Sequence, residues 1–285
     1  MVIAGIQILN TIASLALISL GLAVIFGMMR VMNFAHGELL MLGAYATQFS
    51  HAEGVNLWIA MFVLAPLFVG LVGLAIERLI VRHLYGRMMD TLLGTWGLSL
   101  FISGLITMIF GNFTRGISTP LGSFQIGGIR ESFYKFVIIG ATIVIFAVMY
   151  VVLRHTRYGL IARAAMDNPS QASALGISPG RVYTTAFAIG AALSGLAGAI
   201  LAPVSGVLPT MGVAYIGKAF ITVICGGEAI LAGTASAAAL FGTINQISTI
   251  ALTPEFGEVA LLVGALLMLR LLPSGMTGYF FRKAL

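Results

Sequence analysis

Two carboxylates stand at the starts of otherwise apolar stretches of the sequence. Glu38 follows closely after Asn33 and His36, and Glu228 follows a pair of glycines. A carboxylate inside a membrane is costly unless water, a partner or free helix N–H groups stabilise it. At a helix start, Glu38 would be stabilised by the helix dipole, with Asn33 and His36 satisfying the turn. The same groups could instead line or gate a path through the protein, and for Glu228 pairing with Arg or Lys is a third option.

Motifs for catalysis or nucleotide binding are incomplete. Residues 212–219, GVAYIGKA, nearly match the phosphate-loop pattern G-x-x-x-x-G-K-[ST], but Ala219 lacks the hydroxyl that would hold magnesium. The four histidines are scattered, and the only cysteine, Cys225, excludes a disulfide framework or a cysteine metal site. The sequence therefore predicts no catalytic residues, no metal, no cofactor bound by this chain and no enzyme activity of its own.

The composition predicts a membrane protein. The chain has 285 residues, is 59% hydrophobic and 8% charged, and has a mean hydropathy of +1.05, whereas soluble domains carry about 25% charged residues. Apolar segments lie at about 5–29, 37–50, 57–80, 91–111, 134–153, 181–204, 213–226, 233–252 and 257–272. The segments 37–50 and 213–226 fall well below the roughly 20 residues that cross a bilayer and could be re-entrant. We predict an all-α, polytopic transmembrane helix bundle of eight or nine membrane segments, forming a single domain over residues 1–285.

Basic residues near segment ends predict the orientation, because cytoplasmic loops retain Lys and Arg. The basic loops at 78–87 and 154–163 and the tail at 282–283 are predicted to be internal, and the Gly-, Ser- and Thr-rich segment 112–133 external. Most of the basic residues behind the net charge of +6 lie in these loops, where they can set the orientation. Nucleic acid is therefore not an expected partner. Small residues four apart predict a close-packing helix face, made of Gly190, Ser194, Gly198 and Ala202.

The internal loop at about 154–179 has helix signals of its own. Leu160 to Met166 can form one short helix, and Asn168 can cap a second that begins at Pro169 and ends at Gly176. Apolar side chains beside basic Arg163 suit a docking element that fits a groove in a partner. An amphipathic piece lying on the membrane surface is the alternative.

The run FGMMRVMNFAHGELLMLGAY, at residues 26–45, resembles the N-terminal signature of the branched-chain amino-acid permeases of bacterial ABC importers. Residues 33–38 reproduce the N-F-A-H-G-E stretch of that family without a gap. Residues 159–178 resemble its coupling loop, with matching positions at Gly159, Arg163, Ala164, Ala174, Leu175, Gly176 and Ile177. The resemblance covers nearly the whole chain in helix order and length. Glu228 departs from it, because the family usually continues with small and apolar residues there.

The resemblance implies a multi-pass permease subunit in the bacterial inner (cytoplasmic) membrane that translocates branched-chain or other hydrophobic amino acids. Its implied partners are two ATPase subunits that bind ATP and magnesium, a second permease subunit forming a heterodimer, and an extracytoplasmic substrate-binding protein. The coupling loop would dock on the ATPase, and Asn33, His36, Glu38 and Glu228 would belong to the translocation pathway or gate.

Two alternatives remain. Members of the same family also carry urea, amides or small carboxylates. From another class, an ion-coupled secondary transporter or channel would use Glu38 and Glu228 to bind a proton or cation.

Overall fold

The computed structural model describes residues 2–126, 129–227, 229–273 and 275–281. The helices are α1 (Val2–Met29), α2 (His36–Ala52), α3 (Leu57–Ile59), a π-helical turn (Ala60–Leu64), α4 (Ala65–Leu79), a 3-10 turn (Val81–Leu84), α5 (Met88–Phe110), α6 (Tyr134–His155), α7 (Arg157–Asp167), α8 (Pro169–Ala174), α9 (Pro179–Ser205), α10 (Met211–Gly226), α11 (Ile230–Ala251), α12 (Pro254–Leu271) and α13 (Gly275–Phe281). The strands are β1 (Ser123–Ile126) and β2 (Ile129–Ser132).

All nine predicted apolar segments are helical, and the all-α polytopic membrane fold is confirmed. Within the described residues, seven helices are long and apolar enough to cross a bilayer, by length and composition. The second of these, Leu57–Leu79, is continuous from α3 through the π-helical turn to α4. The two segments predicted to be short are short: α2 has 17 residues and α10 has 16.

The chain folds into two compact units. One, the α2/α9 unit, consists of Leu20–Ile117 and Ala147–Gly217. The other, the α11/α12 unit, consists of the described residues within Met1–Ser19, Ser118–Phe146 and Lys218–Leu285. Helices α1, α6 and α10 contribute residues to both units. The single-domain organisation stays a prediction.

In the α2/α9 unit, the backbone of α2 lies directly on the backbone of α9. A Cβ atom on Gly43 would overlap the carbonyl of Gly195, and one on Gly198 would overlap the carbonyl of Leu40. Only glycine permits this approach, and such small-residue contacts hold membrane helices together because lipid provides no hydrophobic drive for their association. The predicted close-packing face of α9 is therefore confirmed, since all four of its residues are buried, namely Gly190, Ser194, Gly198 and Ala202.

The α11/α12 unit has an apolar core of its own. Leu15 of α1 and Cys225 of α10 lie in it beside Phe241 of α11 and Leu261 of α12. The unit also contains an interhelical hydrogen bond, because Thr11 Oγ1 donates to Gln246 Oε1 at 2.6 Å. An amide within a membrane helix needs such a partner.

The segment 112–133, predicted to be external, contains a two-stranded antiparallel hairpin that was not predicted from the sequence. Ser123 of β1 faces Ser132 of β2. The hairpin is anchored by Glu131, which accepts a hydrogen bond from Gln7 Nε2 at 2.6 Å and forms an ion pair with Lys135. Burial opposes ionisation of Glu131, but the bonds from Lys135 and Gln7 outweigh it and hold the pKa of this carboxyl below its ordinary value.

The α2–α9 contact predicts different results for the same substitution at two glycines. Gly198→Ala forces α2 and α9 apart and is expected to reduce the free energy of unfolding by about 1–3 kcal/mol, as overpacking does. Gly97→Ala in α5 is the matched control, because no atom lies within 4 Å of an added Cβ there. Thermal unfolding of the detergent-solubilised protein measures both, and equal melting temperatures for the two variants would refute the contact.

The Glu131 anchor predicts a loss of hairpin protection in acid. Because folding lowers the pKa of Glu131, its contribution is complete above the ordinary Glu value of about 4.3 and is lost as the pH falls through the lowered pKa. Hydrogen exchange in β1 and β2 should rise over that interval in the wild type. In Glu131→Gln the exchange should already be fast at neutral pH and change little on acidification.

Candidate functional site

The first element of the site is the turn between α1 and α2. Arg30 adopts a left-handed conformation, with φ of 51°, which ends α1 in the way common at helix C-termini. Asn33 Oδ1 then accepts a hydrogen bond from Ala35 N at 3.0 Å, and the Asn33 carbonyl accepts one from His36 N at 3.2 Å. The predicted role of Asn33 in satisfying the turn is therefore confirmed.

His36 connects the start of α2 to the middle of α9. Its Nδ1 lies 3.1 Å from Ser194 Oγ, and both side chains are fully buried. Ser194 also donates to the carbonyl of Gly190 within α9. A hydrogen bond between buried groups on two helices fixes their register as well as their separation, because the alternative is an unpaired polar group in an apolar region.

Glu38 lies in the first turn of α2, as predicted, where the helix dipole favours a negative charge. Its carboxylate is only 1% exposed, and Oε1 accepts a hydrogen bond from Ser99 Oγ of α5 at 2.9 Å. The predicted bond from a free backbone N–H is not found among the described residues. Instead, Oε2 has no partner there, and neither has Asn33 Nδ2.

The N-terminal ends of the two short helices cross beside this carboxylate. A Cβ on Gly212, in the first turn of α10, would lie 2.7 Å from the Gly37 carbonyl oxygen and 3.0 Å from Glu38 Oε2. The unpartnered oxygen therefore lies at the contact between α2 and α10. Both helices point their positive dipole ends toward this region, which lowers the cost of the buried charge.

These residues form a polar cluster, defined as Asn33, His36, Glu38, Ser99 and Ser194. The first three were predicted from the sequence. Ser194 was predicted only as a small residue in a packing face. Ser99 was not predicted, although a hydroxyl in the middle of apolar α5 is a signal that could have identified it. Glu228, the fourth predicted pathway residue, lies outside the described residues.

The second element is the helix pair α7 and α8, and the prediction of two short helices in this loop is confirmed. Asn168 Oδ1 accepts a hydrogen bond from Gln171 N at 3.0 Å, and Pro169 is the first residue of α8. Gly176 follows the helix with φ of 83°. At the start of α7, Thr156 Oγ1 caps the helix by accepting from Gly159 N at 3.1 Å, a cap that the sequence analysis missed.

The seven residues predicted for the coupling loop fall into three sets. Gly159 is buried against the end of α6, and the Arg163 guanidinium donates a hydrogen bond to the carbonyl of Leu153 there. Basic side chains commonly satisfy the last carbonyls of a helix in this way. Ala164 and Ile177 are half-buried, whereas Ala174, Leu175 and Gly176 are exposed.

The exposed set is part of an apolar face that projects from the helix pair. Leu175 is 81% exposed and Leu160 63%. The Tyr158 hydroxyl of α7 lies 2.9 Å from Thr185 Oγ1 of α9, and burial raises the pKa of Tyr158. The pair is thus joined to α6 by Arg163 and to α9 by Tyr158, while its leucines face outward.

Comparisons with known proteins cover almost the entire chain. The family model described as "Branched-chain amino acid transport system / permease component" matches residues 5–272. The high-affinity branched-chain amino acid transport system permease protein LivH of Salmonella typhimurium is 28% identical over 279 residues, covering 92% of this chain and 91% of that protein. The corresponding BraD of Pseudomonas aeruginosa is 26% identical with the same coverage.

A probable LivH of Methanocaldococcus jannaschii is 26% identical over 285 residues, covering 94% of this chain and 90% of that protein. Among solved structures, PsaBC from Streptococcus pneumoniae in complex with Fab has a TM-score of 0.50 and 10% identity, and the match covers 92% of this chain and 90% of that one. At this identity the likeness concerns the fold alone.

The loss of stability on removing the hydrogen bond from Ser99 to Glu38 should depend on the charge of Glu38. Ser99→Ala is expected to reduce the free energy of unfolding by about 1.5–3 kcal/mol, because the acceptor is a carboxylate. Ser103→Ala, one turn further along α5, removes a bond to the neutral Pro209 carbonyl and should cost only about 0.5–1.5 kcal/mol. Chemical unfolding of both variants, repeated in a Glu38→Gln background, tests this. An unchanged cost of Ser99→Ala in that background would contradict an ionised Glu38.

Proposed function

The chain belongs to the branched-chain amino acid transport system permease family, and we propose on that premise that it is the membrane subunit of a bacterial ABC importer. Its substrates are branched-chain or other hydrophobic amino acids, as the names of the matched relatives suggest. The match over residues 5–272 carries the proposal, and the exposed apolar face of α7 and α8 supports it. The subunit lies in the inner membrane and has no ATPase site of its own.

Energy reaches this chain from partner proteins. Two ATPase subunits bind ATP and magnesium, a second permease subunit completes a heterodimer, and an extracytoplasmic binding protein delivers the substrate. Leu160, Ala174, Leu175 and Gly176 form the docking face for an ATPase subunit. An apolar helix face with projecting leucines suits insertion into a groove of a soluble partner.

Anchoring of the helix pair allows it to transmit motion. Arg163 holds α7 on the end of α6, and Tyr158 holds it on α9. A displacement imposed at Leu175 is therefore passed to α9. Because Ser194 of α9 is hydrogen-bonded to His36, the same displacement reaches the start of α2.

The polar cluster serves as the gate at the other end of this connection. Asn33, His36 and Glu38 are each at most 1% exposed, so the cluster is closed in this structure. Separation of Gly37 and Gly212 would uncover Glu38 Oε2, which has no partner in the closed state. Unpaired polar groups of this kind favour an open state in which water or substrate satisfies them. We assign Glu228 to the same pathway.

An ion-coupled carrier is the second candidate function. The unpartnered oxygen of Glu38 favours it, because buried intramembrane carboxylates in carriers bind protons or cations. It leaves the exposed leucines of α7 and α8 without a role. Urea, amides or small carboxylates as substrates would leave the coupling mechanism unchanged.

The docking face predicts that Leu175→Ser uncouples transport while leaving the subunit folded. Docking would bury the Leu175 side chain, which is worth about 1.5–3 kcal/mol, so its loss should weaken ATPase-subunit binding tenfold or more. L-leucine uptake by proteoliposomes and substrate-stimulated ATP hydrolysis should both decline. Leu121→Ser, in the external segment, is the matched control and should retain both activities.

Arg163→Ala distinguishes anchoring of the helix pair from docking, by its effect on the melting temperature. It removes the bond to Leu153, so it should lower the melting temperature of the subunit, whereas Leu175→Ser should not. Full uptake and ATPase coupling with Leu175→Ser in an assembled complex would exclude the proposed docking face.

A further inference from the structure

The α2/α9 unit contains an apolar groove that the transport proposal does not use. It has a volume of about 430 Å³ and lies between α2, the helix Leu57–Leu79 and α5. Its walls are leucine, phenylalanine, isoleucine and alanine side chains, and Tyr45 and Ser50 supply the hydroxyls. The C-terminal end of α5 borders it and leads into the segment 112–133, whose predicted external location places the groove in the outer half of the membrane.

The Arg115 side chain lies at the outer end of the groove. The Arg115 guanidinium lies 5.2 Å from the ring centroid of Phe110, which lines the groove, and 5.1 Å from that of Phe113. Its Nη2 donates to the Phe110 carbonyl at 3.2 Å. Arg115 is held in place by two backbone hydrogen bonds with Val207, each of 2.9 Å.

Two polar groups at this end have no partner within the described part of the chain. Arg115 Nε is buried and unpaired, and so is the hydroxyl of Tyr45. Tyr45 is only 3% exposed, lines the groove, and has its ring centroid 4.9 Å from that of Phe110. In the described residues, no acidic side chain forms an ion pair with Arg115. A ligand that fits must therefore carry both an anion and an apolar chain.

The transported amino acid does not fit this site. No acidic side chain is among the groove-lining residues, so the ammonium group of a zwitterionic amino acid would be left unpaired in an apolar wall. A transmembrane helix of a second subunit would cover Arg115 without supplying the required anion, unless it placed an acid there. Guanidinium groups match phosphate geometry well and donate several hydrogen bonds to it.

We propose that the groove binds an outer-leaflet phospholipid, with its phosphate on Arg115 and the Tyr45 hydroxyl and one acyl chain between α2, the helix Leu57–Leu79 and α5. The phosphate satisfies the two unpaired donors and neutralises the guanidinium. The acyl chain fills a groove that opens onto exposed membrane-facing side chains such as Leu67 and Phe68. This inference does not depend on the transport proposal.

Titration of palmitoyl-oleoyl-phosphatidylglycerol into the detergent-solubilised native assembly, followed by native mass spectrometry, tests the site. Arg115→Gln should weaken binding about fivefold, which corresponds to the roughly 1 kcal/mol expected for one cation near anionic lipid. Arg130→Gln is the matched control, since Arg130 is an exposed arginine of the external hairpin, and it should bind lipid as the wild type does.

Two further variants keep the test independent of loop folding. Ala46→Phe fills the groove without touching Arg115 and should abolish binding, and Tyr45→Phe keeps the ring and should weaken it. Dioleoylglycerol, which lacks the phosphate, should bind equally to wild type and Arg115→Gln. Equal phosphatidylglycerol affinity for Arg115→Gln and Arg130→Gln would overturn the proposal. Wild-type phosphatidylglycerol affinity in Ala46→Phe would also overturn it.

Discussion

The direct contact of the α2 and α9 backbones is the constraint on which the candidate site depends. Gly43 and Gly198 remove the side chains that would separate the two helices, and the polar groups at the start of α2 are thereby enclosed by protein. Because α2 begins inside the bundle, its first turn has no water to satisfy it. His36 and Glu38 must then find hydrogen-bond partners on α9 and α5, and Ser194 and Ser99 provide them.

The same contact explains why Glu38 is only partly satisfied. Gly37 and Gly212 bring α2 and α10 so close that Oε2 faces backbone rather than a side-chain donor. A fully satisfied cluster would hold the short helices in one arrangement. In the proposed gate, one unpaired carboxylate oxygen and one unpaired amide would reduce the free-energy difference between closed and open arrangements. The helix pair α7 and α8 is anchored on α6 and α9, so an ATPase subunit docked there, as proposed, would also act on this balance.

The local features of the fold could be predicted from sequence, because hydropathy, caps and glycines are signals confined to a few residues. The nine helices, the two short segments and the Asn168 cap of α8 were of this kind. The hydrogen-bond partners of Glu38 and His36 could not be predicted in this way, because Ser99 and Ser194 lie far from them along the chain. Arg163 was assigned to the docking surface from a local pattern, whereas its contact with Leu153 depends on the angle between α6 and α7. The hairpin had an available signal, since two glycines separate SFQI from IRES, but the segment was treated only as a loop.

The central claim is that this chain transports its substrate with energy from separate ATPase subunits. L-leucine uptake into proteoliposomes tests it most directly, comparing this chain alone under a proton or sodium gradient with the assembly purified from its native membrane and supplied with ATP inside the vesicles, where the ATPase subunits face. The account predicts uptake only by the assembly and only with hydrolysable ATP. Uptake by the chain alone in response to an ion gradient would contradict it and favour the ion-coupled carrier.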